Sequence, residues 1–229
     1  MIYSRTINSF YSRNLFSKYF PVLFFILSVI GLSNLNAQIN HSTISLFDGK
    51  TLDGWKAVNA ANQNYWNVIN GVITGGDGIE KIPVNTYLQT TKTYQDFEFR
   101  CLFRLTGDHD KGLINSGIQY RSLIENDKII GYQADIGKGY WGDIYDEHRR
   151  AKLVGGDLST LKHILKENDW NSYIIRCKGD LHQLYINGVL TSEYVEMDTN
   201  IPSEGVFGIQ LHSGGNAKIE FKNITITSL

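Results

Sequence analysis

Two Asn-Gly dipeptides, each set between runs of strand-forming residues, constrain this chain more than any other feature. Tyr65-Trp66-Asn67-Val68-Ile69 and Val72-Ile73-Thr74 flank Asn70-Gly71, and Leu184-Tyr185-Ile186 and Val189-Leu190-Thr191 flank Asn187-Gly188. A two-residue hairpin turn needs positive φ at both central positions, which Asn and Gly tolerate, so each block predicts a tight antiparallel hairpin. Period-two alternation continues in Phe97 to Leu105, Ser116 to Ser122, Gly131 to Ile136, Tyr173 to Cys177, Val206 to His212 and Ile219 to Ile226. Only Leu158, Leu161, Ile164 and Leu165, opened by Asp157, have helical spacing. The apolar mass agrees, with 13 Tyr, 11 Phe and 4 Trp against 3 Pro and 2 Met.

Many short strands and one short helix predict an all-β fold, a two-sheet antiparallel sandwich or jelly roll with a helix near 157–167. The shortage of crossover helices disfavours parallel α/β architecture. Gly75-Gly76-Asp77-Gly78 lacks the Lys-Ser/Thr ending and the following helix of a phosphate loop, so it reads as an ordinary connection. The nine core positions expected from alternation are Phe97, Phe99, Phe103, Ile118, Tyr132, Ile136, Ile209, Leu211 and Phe221.

Residues 1–37 read differently from the rest. Arg5, Arg13 and Lys18 occur there with no acid, then Pro21 to Leu32 is almost wholly apolar, and Ala37 offers a small residue for cleavage. The apolar run is shorter than the roughly 20 residues of a spanning helix, which predicts a signal peptide, with no membrane span after its removal. The expectation is therefore an exported protein, periplasmic or extracellular, with one domain over 38–229. Of 22 basic residues three precede the cut, leaving 19 against 23 acids, a mildly acidic domain with no electrostatic reason to bind nucleic acid. Export permits a disulfide between Cys101 and Cys177, but both sit in apolar runs, and two buried thiols are the expectation. Oligomeric state leaves no mark in the sequence.

Polar residues recur on one face of three strands. Alternation sends Asn115, Gly117, Gln119 and Arg121 opposite to Ile118 and Tyr120, pairs Gln133 with Asp135, and pairs Gln210 with His212. A merely solvated face favours Lys, Glu and Thr, whereas amides, an acid, a guanidinium and an imidazole suit the hydroxyls of a carbohydrate. Residues 139–150 add Trp141, Tyr145, Asp146, Glu147 and Arg149 to the candidates, read as a functional loop because acids and guanidinium groups crowd beside two aromatics framed by glycines.

In order along the chain, Leu46-Phe47-Asp48-Gly49-Lys50 with Trp55, Asn115-Ser116-Gly117-Ile118, Gly131 to Ile136, Tyr145-Asp146-Glu147, Trp170-Asn171, Ile186-Asn187-Gly188 and Gly208 to His212 resemble the 3-keto-disaccharide hydrolase domain family. The resemblance covers nearly all of residues 44–228. It implies a concanavalin-like jelly roll acting on glycosides. A ketone at C3 acidifies the C2 proton, so the implied chemistry needs a base near C2, a donor at the C3 oxygen and an acid for the leaving oxygen. Asp135 and Glu147 are the expected base and acid, with His212 the alternative for either. Arg121 and Arg149 would steady the enolate, and Gln119, Gln133 and Gln210 would hold hydroxyls. A divalent metal ion could replace the arginines, though no His/carboxylate spacing compels one. Two other readings stay open. One is a carbohydrate-binding module without catalysis. The other is a retaining glycosidase of the laminarinase-like kind, whose Glu-x-Asp-x-Glu strand is missing here.

Overall fold

The structure, a computed structural model, describes residues 42–229, so the expected signal peptide lies outside the described residues. Fifteen strands follow in chain order: β1 (Thr43–Ser45), β2 (Trp55–Ala57), β3 (Trp66–Ile69), β4 (Val72–Gly75), β5 (Thr86–Tyr94), β6 (Phe97–Thr106), β7 (Asn115–Glu125) and β8 (Lys128–Gly137) in the first half. The second half has β9 (Ile144–Glu147), β10 (Ala151–Val154), β11 (Asn171–Lys178), β12 (Leu181–Ile186), β13 (Val189–Val195), β14 (Gly205–Leu211) and β15 (Lys218–Ser228). Beside two 3-10 turns, Ala60–Tyr65 and His109–Lys111, the described residues form one short α-helix, α1 (Leu158–Leu161), at the start of the expected 157–167 stretch; the Asp157 carboxylate caps it by accepting from the Ser159 and Thr160 amides.

All pairings are antiparallel and form two sheets, as the alternation predicts. One has the order β13-β12-β11-β6-β15-β4-β3, with β1 also on β15; the other runs β10-β9-β8-β7-β14-β5-β2. Both Asn-Gly hairpins form, β3–β4 around Asn70 (φ 51°) and Gly71 (φ 78°), and β12–β13 around Asn187 (φ 49°) and Gly188 (φ 82°). Those positive angles are the primed-turn geometry that matches strand twist.

The two inner faces meet in one large apolar cluster, and every expected core position is buried in it. Phe207 of β14 stacks on Phe99 of β6, centroids 4.6 Å apart, and so joins the sheets. Cys101 and Cys177 are free and buried. They lie on neighbouring strands, but Cys101 faces Tyr173 and Cys177 faces Phe97, four residues out of register, and burial pushes both thiols up.

Many residues of the family-like motifs are architectural. Trp55 donates its indole N–H to the Leu46 carbonyl at 2.6 Å, and Asp48 accepts from the amides of Lys50 and Thr51 to close a turn. The Asn187 amide donates to Asn171 Oδ1 and to the Ile164 carbonyl, tying the hairpin turn to the segment after α1. No helix among the described residues is long and apolar enough to cross a membrane.

Candidate functional site

The outer face of the seven-stranded sheet carries the polar residues in rows set by register. Tyr87 pairs with Gln210, Gln210 with Gly117, and Gly117 with Asp135, which is one row across β5, β14, β7 and β8. The adjacent row holds Gly208, Gln119, Gln133 and Tyr145, and beyond it Gly131 faces Glu147 on β9. On the other side, the His212 amide reaches the Asn115 carbonyl. Same-face neighbours on adjacent strands are within reach of one another, so these rows build a single surface.

Glycines among the polar residues let that surface sink. A Cβ on Gly117 would come within 2.5 Å of the Gln133 side chain, so Gln133 can lie across β7 only because Gly117 has none. The result is a cavity of about 220 Å³ lined by Leu113, Asn115, Gln133, Asp135, Tyr140, Tyr145, Glu147, Gln210 and His212. Seven of these are residues expected from the sequence, brought together from four strands.

The remaining expected residues lie elsewhere. Gln119 is buried beneath the cavity, where its amide donates to Gln133 Oε1. Arg121 leaves the face altogether because the β7–β8 register shifts after Tyr120 and Arg121 adopts positive φ (46°), which reverses the alternation. Its guanidinium turns to the Gln95 and Gly179 carbonyls and to Asp96 Oδ1 at 2.8–2.9 Å. Trp141 packs on Phe103 of the core, and its neighbour Tyr140 lines the cavity instead. The segment expected to be a loop is a strand, β9, followed by a turn and β10. Alternation on β9 therefore sends Tyr145 and Glu147 to the cavity and Asp146 to the other side, where Arg149 and Arg150 bind it.

Sequence reading missed Tyr87, Leu113 and Tyr140. Tyr87 alternates with Leu88 on β5 as Gln210 does with Leu211 on β14, and that shared pattern was the available signal. Its hydroxyl donates to Glu147 Oε1 at 2.9 Å and accepts from Gln210 Nε2 at 3.0 Å. Gln210 Oε1 is buried without a partner.

The electrostatics of the three titratable groups differ. Burial raises the Asp135 carboxyl to about 8, assisted by the nearby Asp143 and Glu147 charges and opposed by the amide that Gln133 donates to it. Among the described residues no cation pairs with Asp135. Asp143, by contrast, is held by Lys152 Nζ at 2.6 Å and the Gly156 amide at 2.8 Å. His212 Nδ1 lies 2.6 Å from the Ser213 carbonyl, which can only accept, so Nδ1 carries the proton and neutral His212 keeps its lone pair on Nε2. No group of three or more His, Cys, Asp or Glu among the described residues is arranged to hold a metal ion.

The two-sheet sandwich has known relatives. The model of the 3-keto-alpha-glucoside-1,2-lyase-like domain matches residues 42–227. The chain belongs to that family. Among solved structures, a candidate glycosyl hydrolase from Parabacteroides distasonis is 20% identical, with a TM-score of 0.59 over 82% of this chain and 94% of its own. A carbohydrate-binding module of the CBM66 class from Bacillus subtilis is 18% identical, with a TM-score of 0.56 over 76% of this chain and 96% of its own. At these identities the likeness establishes the fold. No curated protein matches the chain. The family and the fold together make this a glycosyl-hydrolase-like or carbohydrate-binding domain.

Proposed function

We propose that the domain cleaves the glycosidic bond of 3-keto-glycosides, and that residues 1–37 direct its export. Elimination breaks the bond in balanced steps. A base takes the C2 proton, and the electron pair passes into the C2–C3 enolate. The pair then returns to form C1=C2 as the C3 ketone is restored, and the C1 oxygen leaves with a proton from an acid. Water adding at C1, with a proton returned to C2, completes a net hydrolysis.

The observation that carries this reading is a buried carboxyl, raised to about 8, in the same cavity as an imidazole of defined tautomer. Two groups in different environments are how one site holds an acid and a base at one pH. The environment also exchanges the roles expected from sequence. A carboxyl of that acidity is mostly protonated at neutral pH, so Asp135 is the donor to the leaving oxygen. His212 Nε2 takes the C2 proton. Glu147, fixed by Tyr87, accepts from sugar hydroxyls and is the second candidate base. With Arg121 and Arg149 outside the cavity, the Asn115 amide and the Tyr145 hydroxyl are the donors left for the C3 oxygen.

Incubation with a 3-keto-disaccharide and its parent in D₂O, read by NMR, tests the reading. Cleavage of the keto sugar alone, with deuterium appearing at C2 of the product, is the expected result. Cleavage of the parent would instead make the protein a retaining glycosidase, and binding without turnover would make it a binding module. Export predicts a secreted form beginning at Gln38, and a full-length product retained in the cell would overturn that part.

A further inference from the structure

We propose that Leu113 and Tyr140 form an apolar leaving-group subsite at the cavity mouth, suited to glycosides whose aglycone presents an aromatic or flat apolar face. This rests on the reading of the cavity as a glycoside site. At about 220 Å³ the cavity falls below the roughly 300–1,000 Å³ of sites that enclose a drug-sized ligand. Its polar floor has room for one sugar ring. Whatever is attached at C1 must then lie across the mouth.

The mouth differs in chemistry from the floor. Asn115, Gln133, Asp135 and Gln210 on the floor are each at most 4% exposed, whereas Leu113 is 39% and Tyr140 38% exposed. Both are large apolar side chains that the fold does not use in its core. Each follows a glycine of positive φ, Gly112 at 135° and Gly139 at 87°, which bends the loops so that the side chains stand at the rim. Lys152 Nζ lies over the Tyr140 ring, 5.7 Å from its centroid, and the ring, still 38% exposed, lines the cavity. A second sugar as leaving group would need several hydrogen-bond partners, and of Leu113 and Tyr140 only the tyrosine hydroxyl can serve as one. An aryl group needs only the ring face and the leucine.

The test compares kcat/KM for phenyl and methyl 3-keto-glucosides and for a 3-keto-disaccharide. The methyl compound, which has no aglycone face, serves as the internal reference. The ratio of phenyl to methyl should fall roughly tenfold in Tyr140→Ala, the scale of one aromatic contact. It should hold in Tyr140→Phe, which keeps the ring, and fall by a smaller factor in Leu113→Ser. An unchanged ratio in Tyr140→Ala, or a disaccharide preferred over the phenyl compound by the natural chain, overturns the subsite while leaving the proposed reaction intact. If no 3-keto-glycoside is turned over, the reaction fails, and calorimetric titration with phenyl and methyl glucosides decides the subsite alone. Tighter binding of phenyl that is lost in Tyr140→Ala upholds it, and equal or absent binding overturns it.

Discussion

Two clusters of buried acids lie back to back across β8 and β9, and they are built on opposite rules. In the first, Asp146 is fully buried between Arg149 and Arg150, and Arg150 also binds Glu196, which accepts from Tyr132 as well. Burial alone would raise Glu196, but the hydrogen bonds from Arg150 and Tyr132 prevail and bring it down to about 2. Nearby, buried His182 is lowered to about 3 by burial and by Arg121. Each charge there has a partner, and the cluster ties β9 and β10 to the end of β13. In the second cluster, Asp135 is equally buried but has one amide for company, and its carboxyl rises to about 8. Pairing marks the first as bracing; the missing partner marks the second as a place where a proton can move.

Substitutions that treat the two clusters alike should separate them. The largest expected effect is on turnover: Asp135→Asn and His212→Ala should each lower kcat for a 3-keto-glycoside by about 10²-fold or more, the scale of general acid–base catalysis. Neither substitution should lower the unfolding midpoint appreciably. Near-normal turnover in both would remove the acid and base assigned here and leave Glu147 to be tested by Glu147→Gln. The bracing cluster should behave in the opposite way. Asp146→Ala strands Arg149 and leaves Arg150 to Glu196 alone, and since both guanidinium groups are partly exposed the loss belongs at the lower end for a broken buried pair, about 3 kcal/mol. Denaturant titration measures it, and a loss below about 1 kcal/mol would mean that the cluster is solvated in solution.

Alternation made the sandwich, both hairpins and the core legible before any coordinates, because a buried face punishes a one-residue slip along its whole length. The same rule placed Asn115, Gln133, Asp135, Gln210 and His212 on one surface. It failed where alternation itself fails. Arg121 follows a register shift that local sequence does not announce, and Trp141 lies in a loop without a period. For Asp146 and Arg149 the difference lies in the element: a stretch dense in charge looks like a loop, while Ile144-Tyr145-Asp146-Glu147 is a strand with two faces. Composition showed that acids and arginines meet there. Only the pairing of β9 on β8 shows which of them face the cavity.

The pH dependence of stability sharpens the contrast at an intermediate scale. Asp135 has a folded-state pKa of about 8, above the roughly 3.9 of an unfolded aspartate. Between these values the folded chain holds a proton that the unfolded chain has released, so stability falls as pH rises across that window. Asp135→Asn removes the effect. Its stability relative to the natural chain should therefore improve from pH 5 to pH 8, by at most about 1.4 kcal/mol per pH unit, followed by urea titration at several pH values. Glu196→Gln should do the reverse. Its lowered pKa contributes stability that is present above the unfolded value near 4.3 and lost as pH falls toward 2. A flat difference for Asp135→Asn would show that water or a cation reaches the carboxylate in solution.

The smallest effect concerns the tyrosine that sequence reading passed over. Tyr87 touches no core charge pair, yet its hydroxyl joins Gln210 to Glu147 across the floor. Tyr87→Phe keeps the ring and its packing and deletes that link. Gln210 would then have a second orphaned polar atom beside its unpartnered Oε1, a cost of about 1 kcal/mol in unfolding free energy. If Glu147 binds substrate hydroxyls while His212 is the base, the same change should raise KM several-fold and leave kcat in place, because it loosens a binding carboxylate without altering the proton acceptor. If Glu147 is the base, the same change should lower kcat itself, since the hydrogen bond that aims its carboxylate is gone. The two outcomes divide the roles of Glu147 and His212, which no single deletion of either residue would do.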